Sequence, residues 1–278
     1  MKRKKMICFP NAKINIGLNI TGRRPDGFHI IETILFPIEL CDVLEFVEDK
    51  TTGDEDYKLN CTGIELKITP EENICIKAYR LLKKDFDLPE ISIHLHKIIP
   101  VGAGLGGGSS DAAYMLKNLN KAFRLNISNK KLLEYARQLG SDCPFFINNK
   151  PVFAYETGTK FREIDLAPNG NYIVIVYPDI QISTGHAYSK AFIKKPEKSL
   201  IESVQLPVEE WKNIIKNDFE KTIFPKYPEL RNIKKELYDM GAIYASMSGS
   251  GSALYGIFNS IPEIKKSLTN YFVWQYKI

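Results

Sequence analysis

The middle of the chain reads Pro100-Val101-Gly102-Ala103-Gly104-Leu105-Gly106-Gly107-Gly108-Ser109-Ser110-Asp111-Ala112-Ala113, between a strand-like run and a helix-like run. Glycine permits positive φ and lets backbone N–H groups come close to a ligand. Apolar residues then recur at helical spacing, so we expect a helix from Ser109 to Phe123. Because a helix N-terminus carries unpaired N–H groups and a partial positive charge, the stretch predicts a phosphate-binding loop.

The common glycine motifs do not describe this loop. Gly102-x-Gly104-x-x-Gly107 has the spacing of the dinucleotide fingerprint, which expects an acidic residue about 20 positions later to bind the ribose. No acidic residue occurs between Ala112 and Leu133. The Walker motif needs a lysine after its last glycine, and Gly108 stands there instead. A flexible linker is disfavoured because apolar periodic segments flank the run closely. The sequence therefore favours a phosphate loop of another kind.

The stretch resembles the central motif of the GHMP kinase superfamily, which includes galactokinase, homoserine kinase and mevalonate kinase. Two further segments fit that superfamily in the right order, Pro10-Asn11-Ala12-Lys13-Ile14-Asn15-Ile16-Gly17-Leu18 and Ser246-Met247-Ser248-Gly249-Ser250-Gly251-Ser252-Ala253. A closer resemblance is to the branch that phosphorylates an alcohol linked to cytidine diphosphate. It rests on Ala12-Lys13-Ile14-Asn15, Arg24-Pro25-Asp26-Gly27-Phe28-His29 and Leu139-Gly140-Ser141-Asp142-Cys143-Pro144.

The resemblance implies an α+β protein with the two-domain GHMP kinase fold. We expect an N-terminal domain of ribosomal-S5-like type over residues 1–166, which carries the ATP loop, and a C-terminal ferredoxin-like α/β domain over residues 167–278. The polar Pro/Gly stretch at residues 165–171 marks the boundary. Strand-like runs are predicted at residues 13–20, 31–39, 43–47, 91–95, 172–177, 242–247 and 253–258.

Three helices show start or stop signals. Thr69, Pro70 and Glu72 have the pattern of a capping box, with Asn73 as a rival cap. Ser128 is predicted to cap a helix that ends at Gly140 in the C′ position, which places Asp142 in a turn just beyond it. A later helix is expected over residues 228–240, ending at Gly241.

Composition restricts the class of protein. A length of 278 residues, 44% hydrophobic and 26% charged, is typical of one large or two modest globular domains. The net charge is +5, of which residues 2–5 supply four, so the rest gives no support to a nucleic-acid partner. No apolar run is long enough for a membrane span. Five cysteines without a Cys-x-x-Cys pair favour a reducing cytoplasm. We expect a cytoplasmic monomer or weak homodimer.

Asp142 is the candidate general base, accepting the proton of the substrate hydroxyl as that oxygen attacks the γ-phosphate of ATP. A nearby Lys13 would keep the carboxylate ionised and stabilise the developing alkoxide. From the residues alone, the structural interpretation is favoured, with an aspartate that fixes a turn and a lysine that is merely solvated. The resemblance implies that both are catalytic. It also implies that ATP is bound by the loop residues Pro100 to Ser110 together with Asn73 and Lys97.

An aromatic ring and an imidazole side by side, Phe28 and His29, suit a flat heterocycle by stacking and edge hydrogen bonds. The resemblance assigns substrate binding to this pair, to Lys13, Asn15 and Asp142, and to Tyr188 as a second aromatic. Most relatives carry Tyr where this chain has Phe28. No acidic residue stands out as a Mg2+ ligand, so we expect the metal to be held mainly by phosphates and water.

The implied function is ATP-dependent phosphorylation of the 2-hydroxyl of 4-diphosphocytidyl-2-C-methyl-D-erythritol, in the non-mevalonate synthesis of isoprenoid precursors. Three alternatives stay open: a mevalonate- or homoserine-type alcohol kinase, a non-catalytic nucleotide-binding relative, and an NAD-binding protein. The Phe28-His29 pair argues against the first, since those substrates carry no base. Retention of Lys13 and Asp142 argues against the second, and the missing ribose acid argues against the third.

Overall fold

The packing of the chain forms two units that interleave along the sequence. The computed structural model describes residues 4–50, 56–166, 168, 171–189, 193, 196 and 198–278. The first unit comprises residues 1–12, 39–101 and 106–149, and the second comprises residues 13–38, 102–105 and 150–278. The domain boundary expected between residues 166 and 167 stays a prediction. Three of its marker residues, Ala167, Asn169 and Gly170, lie outside the described residues.

Helices and strands are mixed throughout, as the α+β expectation requires. The strands are β1 (Lys5–Cys8), β2 (Asn11–Arg23), β3 (His29–Cys41), β4 (Val43–Glu48), β5 (Tyr57–Gly63), β6 (Ile91–Lys97), β7 (Val152–Tyr155), β8 (Lys160–Glu163), β9 (Tyr172–Tyr177), β10 (Tyr244–Met247), β11 (Leu254–Phe258) and β12 (Phe272–Lys277). The helices are α1 (Ile74–Lys83), α2 (Gly107–Phe123), α3 (Asn129–Leu139), α4 (Cys143–Asn148), α5 (Thr184–Ser189), α6 (Leu200–Ser203), α7 (Val208–Ile214), α8 (Glu220–Lys226) and α9 (Pro228–Asp239). In the described part of the chain, no helix is both long and apolar enough to cross a membrane.

The first unit has a four-stranded sheet in the order β1-β4-β6-β5, in which only β5 and β6 run parallel. Strand β6 alternates strictly, with Ile91, Ile93 and Leu95 buried and the residues between them half-exposed. This period of two leaves one face of the strand for the core. Helix α2 buries a stripe at helical spacing and packs against α1, α3 and α4. The predicted amphipathic helix after the glycine run is therefore confirmed.

The two predicted caps at Thr69 and Asn73 are both used, for successive elements. The Glu72 carboxylate accepts a hydrogen bond from Thr69 N at 2.9 Å, but the turn it closes is a single 3-10 turn, Pro70–Glu72. Asn73 is extended and its Oδ1 accepts from Cys75 N at 2.9 Å, so Asn73 caps α1 itself. Of the two predicted caps, the rival Asn73 therefore starts α1, and the capping box at Thr69 closes only the preceding 3-10 turn.

Helix α3 begins and ends as predicted. The Ser128 hydroxyl accepts from Lys131 N at 3.3 Å, and the helix ends at Leu139. Gly140, however, has a φ of 167°, which is extended backbone and not the left-handed cap expected. The chain then bends and starts the short helix α4, with Asp142 immediately before it. The sequence pattern missed α4 because six residues are too few to show helical periodicity.

The second unit contains two antiparallel arrangements. One sheet has the order β2-β3-β7-β8. The other has the order β10-β11-β9-β12 with antiparallel pairing throughout. Numbered within this sheet along the chain, the strand order is 2-3-1-4, which is the ferredoxin-like arrangement of a β-α-β-β-α-β unit. The second crossover carries only the 3-10 turn Lys266–Leu268. The expected ferredoxin-like topology is confirmed.

Asn217 joins strand β2 to the loop that follows β10. Its neighbours flank Leu18 of β2: Leu18 N donates to Lys216 O at 2.9 Å, and Asp218 N donates to Leu18 O at 2.8 Å. The Asn217 side chain is 1% exposed, and its Nδ2 donates to the carbonyls of Met247 and Gly249, each at 2.8 Å. One buried amide thus satisfies two carbonyls of the second glycine loop.

We predict that Asn217→Ala lowers the free energy of unfolding by about 3 kcal/mol, because it leaves buried carbonyls without donors. Urea unfolding followed by far-ultraviolet circular dichroism measures the change. Asn259→Ala is the matched control, since that side chain is exposed and, among the described residues, accepts from Asn171 Nδ2 alone. Equal stabilities of the two variants would contradict the role given to Asn217.

Candidate active site

The glycine-rich segment has the backbone of a ligand loop. Gly102, Gly104 and Gly106 have φ values of 69°, 79° and 73°, a region that favours glycine. A Cβ on Gly104 would lie 2.1 Å from the Ser248 carbonyl oxygen, so no other residue fits there. Within the second unit, therefore, the segment lies directly against the second glycine motif, residues 246–253. The sequence alone did not indicate this contact.

Helix α2 begins at Gly107, two residues before the predicted start, so both serines lie in its first turn. A Cβ on Gly107 would lie 2.9 Å from Ile99 Cγ2, whereas one on Gly108 would meet nothing closer than Ile74 at 4.0 Å. Gly107 thus faces the interior and Gly108 faces outward. The N–H groups of this first turn suit a phosphate, because the helix dipole favours an anion at this end.

Lys13 lies on β2 and is almost fully buried, with 4% of its surface exposed. Its ammonium donates to Asn15 Oδ1 at 2.5 Å and to the Gly104 carbonyl at 2.9 Å. The spacing of two residues along a strand places Lys13 and Asn15 on the same face, which allows the side chains to meet. The second unit thus joins the predicted catalytic lysine to the predicted ATP loop.

Asn15 is held on every side. Its Nδ2 donates to Thr33 Oγ1 at 3.0 Å, and Thr33 in turn donates to the Gly17 carbonyl at 2.6 Å. Its backbone N donates to Ser248 Oγ at 3.2 Å, and its carbonyl accepts from Tyr255 OH at 2.9 Å. Asn15 was predicted to bind substrate, and the structure shows that it also fixes Lys13. Sequence reasoning missed Thr33 and Tyr255, since nothing in their local pattern points to this cluster.

Asp142 belongs to the first unit and is half-buried in the bend between α3 and α4. The same bend lies against the first turn of α2, since a Cβ on Gly140 would be 3.9 Å from Ser109 Oγ. The unit therefore places the predicted base in a segment that adjoins a predicted phosphate ligand. Burial raises the pKa of the neighbouring Cys143 to about 11, so this thiol stays protonated and is no nucleophile at neutral pH.

His29 begins β3, directly after a turn in which Gly27 N donates to the Arg24 carbonyl at 3.0 Å. Its ring stacks on Tyr188 with centroids 4.9 Å apart and planes at 24°, and Tyr188 packs edge-on against Phe219 at 4.8 Å. Burial, with Arg23 adding to it, lowers the pKa of His29, which keeps the imidazole neutral. Phe28 is 65% exposed. The second unit thus brings together two of the three aromatic residues predicted to contact a base.

The remaining two predicted ATP ligands are buried in the first unit. Asn73 is 2% exposed and caps α1, whose first residue, Ile74, faces Gly108. Lys97 is 3% exposed, and its ammonium contacts the carboxylates of Asp42 and Asp111. Neither acid was assigned a role from the sequence. Contact of Asn73 and Lys97 with a nucleotide stays a prediction.

The described residues do not fit a magnesium ion held by the protein. Within them, no group of three or more His, Cys, Asp or Glu side chains converges. Asp111 Oδ1 is buried without a hydrogen-bond partner, but burial raises the pKa of this carboxyl to about 8 and the Lys97 ammonium lies beside it. The Lys97 ammonium repels a divalent metal ion, and a neutral, protonated acid is a poor ligand for one.

Comparison with known proteins matches two family models, "GHMP kinases N terminal domain" over residues 73–150 and "GHMP kinases C terminal" over residues 201–273. A protein of Bacteroides fragilis named 4-diphosphocytidyl-2-C-methyl-D-erythritol kinase is 51% identical, covering 94% of this chain and 95% of that relative. A protein of the same name from Parabacteroides distasonis is 47% identical, covering 97% and 98%.

A crystal structure of 4-(cytidine 5'-diphospho)-2C-methyl-D-erythritol kinase is similar in fold. Its TM-score is 0.74 at 29% identity, over 91% of this chain and 90% of that one. These matches confirm the two-domain GHMP kinase fold. The glycine segment, the second glycine motif and the Lys13 strand meet in one unit, as the three sequence motifs require. The chain therefore belongs to the GHMP kinases, a family of ATP-dependent kinases of small molecules.

Proposed function

We propose that this chain transfers the γ-phosphoryl group of ATP to the 2-hydroxyl of 4-diphosphocytidyl-2-C-methyl-D-erythritol, in isoprenoid precursor synthesis. The names and identities of its relatives support this substrate. The observation that carries it within the molecule is the stacked pair of His29 and Tyr188 beside the exposed Phe28. A flat base uses such rings, whereas mevalonate and homoserine carry no base.

The donor side rests on the glycine segment. Phosphoryl transfer depends mainly on positioning and on stabilisation of charge, with little covalent help from the protein. The three left-handed glycines and the first turn of α2 present backbone N–H groups, which suit the developing charge on the phosphates. Mg2+ is expected to arrive with ATP, bound by phosphates and water, since the described residues offer it no cluster of ligands.

On the acceptor side, Asp142 takes the proton of the attacking hydroxyl and Lys13 stabilises the negative charge that develops on that oxygen. The contacts of Lys13 with Asn15 and the Gly104 carbonyl fix the direction of its ammonium. A charge held in place before the reaction stabilises the transition state without reorganisation. In this arrangement Asn15 acts through Lys13 as well as on the substrate.

On the base, a neutral His29 offers one ring N–H donor and one acceptor, and the polar edge of cytosine needs both. Tyr188 supplies a face for stacking. Phe28 lacks the phenol hydroxyl common in relatives, so it contributes stacking alone. The near balance of charge outside residues 2–5 supports an enzyme without a nucleic-acid partner. The odd number of cysteines supports a location in the cytoplasm. A monomer or weak homodimer is in keeping with this function.

A phosphoryl-transfer assay tests the proposal directly. Purified protein, ATP and Mg2+ are incubated with the cytidine diphosphate conjugate, its uridine analogue, mevalonate and homoserine, and phosphorus NMR identifies the product. We expect a new phosphomonoester only on the conjugates, with the cytidine compound strongly preferred, because a site that hydrogen-bonds a polar edge rejects a mismatched one. His29→Ala should lose this preference while its KM for ATP changes little. Phosphorylation of mevalonate or homoserine alone would contradict the proposal.

We further predict that Asp142→Asn keeps ATP binding and lowers kcat by roughly 10²–10⁴, the usual contribution of a general base. Steady-state kinetics and calorimetry with ATP measure the two effects. Asp239→Asn is the matched control, because that exposed carboxylate pairs only with surface lysines of the described chain. An Asp142→Asn variant that is folded and turns over like the control would remove the base assignment.

A further inference from the structure

Three charged side chains are buried together in the first unit. Asp42, Lys97 and Asp111 are 0%, 3% and 1% exposed. The Lys97 ammonium donates to Asp42 Oδ2 and, at 2.8 Å, to Asp111 Oδ2. Buried charges cost free energy unless they are paired, and replacing such groups with apolar residues is often neutral or favourable. The presence of three of them beside the glycine segment therefore calls for a function.

The cluster is tied to both ends of the glycine segment. Asp42 lies between β3 and β4, and its Oδ1 accepts from Ile98 N at 2.6 Å and Ile99 N at 2.9 Å, just where the chain enters the segment. Asp111 lies in α2 just after its first turn, where the chain has left the segment. A Cβ on Gly107 would lie 3.3 Å from Lys97 Nζ. The Lys97 ammonium thus connects the start of the glycine segment, through Asp42, with the helix that follows the segment, through Asp111.

We propose that Asp42, Lys97 and Asp111 form a stem clamp, a set of positioning residues that holds the two ends of the glycine segment at the spacing that receives the triphosphate. The inference rests on the proposed use of ATP and deepens it. It gives Lys97 a different role from direct contact with the nucleotide: its ammonium is committed to two carboxylates, and it acts on ATP through the loop that it fixes.

The charge of the clamp is balanced by one proton. Two carboxylates face one ammonium, and burial raises the pKa of Asp111 to about 8, with Asp42 adding to the effect and Lys97 opposing it. Burial would lower the pKa of Lys97, but Asp111 and Asp42 outweigh it and raise that pKa. The thiols of Cys8, Cys61 and Cys75, on β1, β5 and α1, also have raised pKa values, so they carry no charge. At neutral pH the clamp is therefore close to neutral.

Deprotonation of Asp111 would place a net negative charge close to the first turn of α2, where the triphosphate is expected. ATP affinity should then be steady up to about pH 8 and fall above it. The free energy of unfolding depends on pH over a different range. Because the pKa of Asp111 in the folded protein lies above its ordinary value of 3.8, the unfolded chain loses the proton first. The contribution of this group to stability therefore declines from about pH 4 to about pH 8 and is constant above.

Two variants and a control test the clamp. Asp42→Asn keeps an acceptor for Ile98 N and Ile99 N but turns an amide N–H towards the Lys97 ammonium, so it separates the loop entry from Lys97. Asp111→Asn copies the neutral carboxyl. Asp56→Asn is the control, because this exposed acid of the same unit pairs with Lys83 at the surface and with no other cation of the described residues. ATP affinity is measured by calorimetry from about pH 6 to about pH 10, with melting temperature and the KM and kcat for ATP.

For Asp42→Asn we expect ATP affinity to fall by about tenfold to a hundredfold, with KM raised far more than kcat is lowered, since misplacement of a binding loop has effects of this size. Asp111→Asn should bind ATP at neutral pH within about threefold of wild type and lack the alkaline loss, because an amide cannot ionise. Its free energy of unfolding should also lack the decline that ionisation of Asp111 is expected to cause in wild type between about pH 4 and about pH 8.

A folded Asp42→Asn that binds ATP like the Asp56→Asn control would overturn the clamp. So would an alkaline loss of affinity that is the same in wild type and Asp111→Asn, and this comparison decides the matter if Asp42→Asn does not fold. Absence of ATP binding by wild type at any pH would contradict the proposed function itself, which separates that failure from failure of the clamp.

Discussion

The close backbone contact at Gly104 is the constraint on which the site depends. A side chain there would place Cβ 2.1 Å from the Ser248 carbonyl oxygen, so the two glycine motifs touch only because Gly104 has none. The Gly104 carbonyl then accepts from Ser248 Oγ at 2.8 Å and from Lys13 Nζ at 2.9 Å. One peptide group thereby joins three distant parts of the sequence. The position of the lysine follows from the conformation of the loop.

The same principle operates in both units: polar groups are buried next to the glycine segment, where each needs a partner. In the second unit, Asn15, Thr33 and Ser248 form a connected hydrogen-bond network around Lys13. In the first unit, the ammonium of Lys97 contacts two buried carboxylates. A satisfied buried network restricts its members to one geometry, which suits a reaction that depends on positioning. Apolar packing alone would leave the loop more freedom.

The sequence predicted the elements whose signals are local. The alternation of β6, the exact bounds of β9 and the Ser128 cap follow from period and capping chemistry. The order of three motifs gave the family and hence the fold. The local signals missed α4, because six residues are too few to show periodicity. They also did not decide between the caps at Thr69 and Asn73, which are both used, for successive turns.

The partners inside the site were beyond sequence reasoning. Asp42 meets Lys97 across 55 positions, and Asn15 meets Ser248 across 233. No periodicity or motif records such distances, and an isolated aspartate before a strand looks like any other. Asp111 stood in the quoted motif, yet its burial and its raised pKa depend on the packing of α2 against its neighbours. The sequence indicated which single residues could take part in the chemistry, whereas only the folded structure shows which of them pair.

Gly108 offers the most direct test that the first turn of α2 receives the triphosphate. A Cβ there has open space, with Ile74 Cγ2 the nearest atom at 4.0 Å, so Gly108→Ala should fold normally and even favour the helix. The account predicts a melting temperature at or above that of wild type together with ATP affinity, measured by calorimetry, reduced by about tenfold or more, since the methyl group would occupy the place of a phosphate oxygen. Unchanged affinity in that folded variant would contradict it.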